Sequence, residues 1–227
     1  MVAADRMEFP GILAHAADSR PAAPELVWAR SARLSGNQVL LAANGAGARR
    51  AAAAVDRALQ TFPADAVVST GFCGALRPEF AIADLVVADS VTSGDRRFRA
   101  WPVSGAAVWR TGAVCSVDHV VGTAEEKARL AQTGASVVEM EAAGVAERAA
   151  AYGIPFSCVK AVTDLGGETL ANDFNKALRD DGHFDTIVLL RGTLRQPLVR
   201  IRELLRLRAR CVRAAEMLGD FFADLRF

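Results

Sequence analysis

The apolar positions of this chain fall into two kinds of stretch that alternate along its length. One kind is a short run of valine, leucine and alanine. Such runs are Val39 to Ala43, Ala66 to Thr70, Leu85 to Ala88, Gly112 to Val117, Val137 to Met140 and Phe156 to Val162. Runs this short and this continuously apolar predict strands buried on both faces of a sheet. The other kind repeats at helical spacing, as Ala51, Val55, Ala58, Leu59 and Phe62 do before Pro63. Further helices are predicted over 142–151, 185–190 and about 198–225. Another covers 123–132, with Thr123 as N-cap, Glu126 completing a capping box and Gly134 as the stop. Strands alternating with helices predict an α/β fold: one three-layer domain over 1–227 around a central mixed, mostly parallel sheet, with helices on both faces. Residues 185–227 form its C-terminal helical segment.

Smaller signals fill in the rest. Met1 to Ala4 reads as the end of a strand whose start is clipped. Phe9 to Leu13 opens a short helix that Arg20-Pro21 ends. Residues 26–29 and 39–43 form a hairpin through Ser35-Gly36-Asn37, and 106–109 is a further strand. Asp95 to Arg99 is polar, basic and aperiodic, and predicts a mobile surface loop.

Composition changes this picture little. The chain has 227 residues, 52% hydrophobic, with a net charge of +1. That excludes the disordered class and gives no sign of a nucleic-acid partner. No apolar run reaches the roughly eighteen residues of a spanning helix, and no secretory signal is visible. Cys73, Cys115, Cys158 and Cys211 form no CxxC pair, and the three histidines share no ligand spacing. A cytoplasmic protein without a metal is the expectation.

Chemistry is expected beyond the carboxyl ends of the strands. Glu139 and Glu141 sit where an apolar strand runs into an alanine-rich helix, and Thr163-Asp164 closes the strand after it. Acidic side chains are rare at such ends unless something binds there. One of the two glutamates is equally explained as a helix-start carboxylate, and Asp164 as a turn residue before Gly166-Gly167. If the two strands pair, their ends lie about 5 Å apart. Gly45-Ala46-Gly47, before a helix start, is either an anion or ribose loop or a plain tight turn. Gly71 and Gly74 carry the same ambiguity.

Four blocks then carry a resemblance over roughly residues 1–170. They are Asn44-Gly45-Ala46-Gly47, Ser69 to Leu76 with Ala83 to Val87, Val138-Glu139-Met140-Glu141-Ala142-Ala143, and Ala161-Val162-Thr163-Asp164. Together they resemble the nucleoside phosphorylase and nucleosidase superfamily, which includes methylthioadenosine/S-adenosylhomocysteine nucleosidases. The stretch 117–127 and the C-terminal third are most similar to its hopanoid-associated phosphorylase branch. The resemblance implies an enzyme that cleaves the N-glycosidic bond of a 5′-substituted adenine nucleoside, by hydrolysis or with inorganic phosphate as co-substrate, and no other cofactor. It implies Asp164 as the acid at the purine and Glu8 as the group that activates water. Glu141 would hold the ribose hydroxyls, with Met140 packed on the sugar. Val120 and His119 would line the base site. Thr70, Gly71 and Phe72 would form the sugar- and phosphate-side loop, with Thr163 and Glu139 in support. Phe72 departs from the serine that relatives often place there, which puts an ordinary phosphate site in doubt. Arg49 and Arg50 are alternative anion contacts. The resemblance also implies a homo-oligomer, a dimer first. The basic, leucine-rich segment 191–213, including Arg195, suggests peripheral contact with a membrane. The competing reading is a non-catalytic nucleoside-binding protein on the same fold.

Overall fold

The computed structural model describes residues 1–194 and 196–226. Arg195 therefore lies outside the described residues. The elements run in chain order as β1 (Val2–Ala3), a 3-10 turn (Arg6–Glu8), α1 (Pro10–Ala14), β2 (Ala17–Pro21), β3 (Trp28–Leu34), β4 (Asn37–Ala43) and α2 (Ala48–Thr61). They continue with β5 (Val67–Ala75), β6 (Leu85–Ser93), β7 (Arg96–Arg99), β8 (Trp109–Ser116), α3 (Ala124–Ala131) and β9 (Val137–Glu139). The last are α4 (Ala142–Tyr152), β10 (Phe156–Asp164), α5 (Phe174–Ala177), α6 (Thr186–Thr193) and α7 (Pro197–Phe222).

The sheet is mixed, as expected, and it closes on itself. β5 pairs with β10, β10 with β6, β6 with β8, β8 with β9, and β9 returns to β5. From β5 the sheet extends outward through β1, β4, β3 and β2. The parallel pairings lie at the centre, where valine and alanine are buried on both faces. Helices α2 and α4 cover one face, burying Ala51, Val55, Val145 and Ala149. Helices α1 and α7 cover the other, burying Phe9, Ile12, Leu218, Phe221 and Phe222 against Val68, Leu85 and Val159. The α1–α7 contact is close enough that a Cβ on Gly11 or Gly219 would run into the partner helix backbone.

Several local expectations are corrected. The two strands carrying the carboxylates do not pair; β5 lies between them and pairs with both. Residues 71–75 are not a loop, because β5 continues to Ala75. Arg20-Pro21 lies in β2, since α1 already ends at Ala14. Residues 96–99 are strand β7, an edge hairpin on β6, fixed by Arg96 to Glu147 (2.7 Å) and Arg97 to Ser90 (3.0 Å). The 106–109 strand reduces to Trp109, the first residue of β8.

Candidate active site

The turn after β9 is built around a buried charge. Glu139 accepts the backbone N–H groups of Glu141 (3.0 Å) and Ala142 (2.9 Å), the free donors at the start of α4, and takes a hydrogen bond from Ser116. Lys160 Nζ lies 2.8 Å from Oε2, the oxygen that accepts these N–H groups, and donates to the Thr70 carbonyl at 3.0 Å. Burial alone would push the Glu139 carboxyl up. The Lys160 ammonium, Ser116 and the Glu141 N–H more than offset this and hold it below its ordinary range. The helix-start reading thus describes Glu139, whose oxygens are engaged inside the protein.

Glu141 is held differently. Gly47 at the start of α2 donates its N–H to Oε1 at 2.9 Å. Burial and the neighbouring Glu139 raise the Glu141 pKa to about 8, against the pull of Lys160. The group that takes the free N–H at the α2 N-terminus is therefore the protein's own Glu141. Gly45 instead permits a close backbone approach, since a Cβ there would meet the Asp181 carbonyl at 2.6 Å. Neither glycine lines the cavity that Glu141 borders. Arg50 is also engaged, donating to the Asp180 carbonyl.

Glu8 comes from the 3-10 turn, capped by Asp5. The Asp5 N–H donates to Oε2 (2.9 Å) and the Phe72 N–H to Oε1 (2.8 Å). Gly71, at φ +119°, lets the strand approach this carboxylate, and any Cβ there would strike it. Burial raises the Glu8 pKa, with Lys160 and the two N–H donors opposing. Phe72 contributes through its backbone; its ring packs on the α1–α7 core. Thr70 is fully buried in β5, away from the cavity, and it enters only through its carbonyl on Lys160.

Asp164 ends β10 beside β5, with Gly74 facing it; a Cβ at Gly74 would come within 2.8 Å of Oδ2. Lys127, fully buried on α3, places its ammonium on Asp164 Oδ2 and donates to the Leu165 carbonyl at 2.8 Å. Thr163 Oγ1 lies 3.3 Å from Oδ1. Burial raises the Asp164 pKa, while Lys127 and Thr163 moderate the rise. Behind it, Glu168 forms a two-pronged pair with Arg210 of α7 (2.7 and 2.8 Å).

Another wall is set by α3 as well. Thr123 caps the helix by accepting the Glu126 N–H. The second half of the expected capping box is not made, because Glu126 reaches instead to His119 Nε2 at 2.7 Å. Asp118 takes Nδ1 at 2.8 Å, and these two carboxylates raise the His119 pKa. With both nitrogens occupied, His119 offers a ligand its ring. Asn175 grips Val120 through both backbone groups (2.7 and 2.8 Å).

Glu8, Phe72, His119, Val120, Glu139, Met140, Glu141, Thr163 and Asp164 thus share one cavity of about 420 Å³. Sequence motifs group these nine from separate regions of the chain; Thr70, Gly71, Gly45 and Gly47 stand behind the cavity walls. The motifs do not reveal Lys160, Lys127, Ser116 or Asn175. Lys160 has a visible signal, since a lysine inside an apolar strand requires a buried anion. Most of the remaining wall is apolar, with Met7, Leu170, Phe174, Phe184, Leu204 and Leu207, and Asp5 and Arg208 add two charged groups to it.

A model of the phosphorylase superfamily matches residues 2–104 and 98–183 of this chain. The chain belongs to the phosphorylase superfamily. Among superfamily relatives, the futalosine hydrolase of Streptomyces coelicolor is 36% identical over 166 residues, covering 60% of this chain and 70% of the relative. The 5′-methylthioadenosine/S-adenosylhomocysteine nucleosidase of Staphylococcus saprophyticus is 26% identical over 162 residues, covering 59% and 71%. In three dimensions, the Neisseria meningitidis nucleosidase of that name, solved with methylthio-immucillin-A, superposes with a TM-score of 0.71. That match covers 98% of this chain and 96% of the other; at 19% identity it shows a shared fold.

Proposed function

We propose that the chain cleaves the N-glycosidic bond of a 5′-substituted adenine nucleoside and releases adenine, with water as the acceptor. The observation that carries this reading is the sorting of three carboxyl groups around one cavity: Asp164 against a lysine, Glu141 against a backbone N–H, Glu8 against another. As the C1′–N bond breaks, its electron pair passes to the base. Asp164, kept protonatable by burial, delivers the proton that neutralises it. Glu141 accepts from the ribose hydroxyls and lies near the cationic sugar. Glu8, made more basic by burial, takes the proton of the water that attacks C1′.

Water fits better than phosphate. Two groups that could attract an anion near the sugar are already engaged, Lys160 by Glu139 and the Gly47 N–H by Glu141. The wall of Met7, Phe174, Phe184, Leu204 and Leu207 suits an apolar 5′ substituent, methylthio or a longer alkyl or lipid group such as a hopanoid. A homo-oligomer, a dimer first, belongs to the same reading and rests on family resemblance.

The test is incubation with methylthioadenosine, S-adenosylhomocysteine and a 5′-alkyl adenosine, each with and without phosphate. Free adenine and free sugar at a phosphate-independent rate are expected. Ribose 1-phosphate formed only with phosphate would overturn the acceptor. Tight adenine binding with no base released from any substrate would favour the binding-protein reading.

Lys127 offers a check on the acid. Lys127→Gln removes the cation from Asp164 while leaving a hydrogen-bond donor. The Asp164 pKa should then rise further, and the alkaline limb of the kcat/KM profile should move up by about one unit or more. A profile that falls in height with its limb unmoved would assign Lys127 a packing role only.

A further inference from the structure

We propose that the outer face of α6 and the first half of α7 docks on an anionic lipid bilayer. In α7 the inward face becomes core only from Ala214 onward, where Ala214, Leu218, Phe221 and Phe222 are buried. Before that point Leu198, Ile201 and Leu205 follow one another at helical spacing on the side turned to solvent. Leu198 is 73% and Leu205 62% exposed; Leu194, between the helices, is 77% exposed, and Ile187 and Leu190 of α6 extend the patch. An apolar stripe normally faces the core, so a stripe facing outward over two consecutive helices marks a surface that something covers.

The charge around it says what. Arg191, Arg202, Arg206, Arg208 and Arg213 are exposed on the same two helices. The single acidic residue between 186 and 215 is Glu203. It is buried and accepts the N–H groups of Ala171 (2.7 Å) and Asn172 (2.8 Å). A second copy of the chain meeting this face about a two-fold axis would set arginines against arginines. A bilayer accepts both features at once: leucine side chains enter the acyl boundary while guanidinium groups stay at anionic headgroups. Leu204, Leu207 and Arg208 of the same helix line the catalytic cavity, so docking brings that wall of the cavity to the lipid surface. This inference does not depend on which nucleoside is cleaved.

The full chain would be sedimented with vesicles of phosphatidylcholine alone and of phosphatidylcholine mixed with phosphatidylglycerol. Binding to the anionic vesicles should exceed that to neutral ones by about tenfold or more and weaken with added salt. Leu198→Asp with Leu205→Asp should reduce it by a similar factor, with the circular dichroism melt and turnover of a water-soluble nucleoside unchanged. Arg202→Glu with Arg206→Glu should do the same. Absence of vesicle binding would overturn the proposal. So would binding that responds to the arginines and not to the leucines, which marks plain electrostatic adsorption. A concentration-dependent dimer in sedimentation that Leu198→Asp with Leu205→Asp abolishes would assign the face to a second copy and overturn it too.

Discussion

Asp164→Asn should leave a folded protein that releases adenine about 10²–10⁴-fold more slowly than the parent. The carboxamide keeps the shape of the side chain and an oxygen to accept from Lys127, whose ammonium is also held by the Leu165 carbonyl. The change therefore removes the transferable proton more than it removes structure. The loss should fall on kcat, because the base is bound before it is protonated and the proton matters only as the bond lengthens. A substrate whose leaving group departs without protonation, such as a nitrophenyl riboside, should be cleaved by the variant within about tenfold of the parent. Equal losses on both substrates would show that Asp164 binds and does not donate a proton. Adenine release within about tenfold of the parent would remove the acid assignment altogether.

The distinction between Asp164 and its neighbours shows what sequence can and cannot supply here. The strand and helix alternation, and the concentration of acidic residues at strand ends, follow from hydrophobic periodicity, which is local information. Blocks of family-like residues bring Glu141 and Asp164 into one site, and the resemblance adds Glu8 from outside those blocks. What is not legible is how each carboxyl is neutralised, because that depends on which strands become neighbours. Glu139 and Glu141 are two residues apart and look equivalent in extended chain. Yet β9 ends between β8 and β5, so Glu139 turns to Ser116 and Lys160 while Glu141 meets the start of α2. The closure of the sheet through β5 is hidden for the same reason. Its pairings join strands distant in sequence, and nothing in β5 alone shows that it will be shared by β9 and β10. Residues 96–99 do not read as a strand because an edge strand of arginines lacks the apolar alternation by which strands are recognised.

Lys160→Met should have the largest effect on stability, and its size should depend on pH in a direction set by the carboxyls it faces. Lys160 is fully buried; burial pulls its pKa down, but Glu139, Glu141 and Glu8 raise it above its ordinary value. Replacing one partner of a buried pair costs about 3–5 kcal/mol, because the other charge is left without compensation. In the parent, the Glu139 pKa is lowered in the fold, so it contributes stability present above the unfolded carboxyl range and lost as pH falls through its folded value. Glu141, raised to about 8, contributes in the opposite sense: its stability is complete in acid and is lost as pH rises through about 8. Without Lys160, burial dominates at Glu139 too, and all three carboxyl groups fall into the second class. The difference in Tm between parent and variant should therefore be small near pH 4 to 5, where the carboxyls can bind protons, and widen steadily toward about pH 8. If the variant is unfolded at neutral pH, refolding on acidification is the same result seen from the other side. A Tm difference that stays constant across this range would mean that Lys160 stabilises the core through packing, and that its charge does not hold the three carboxylates together.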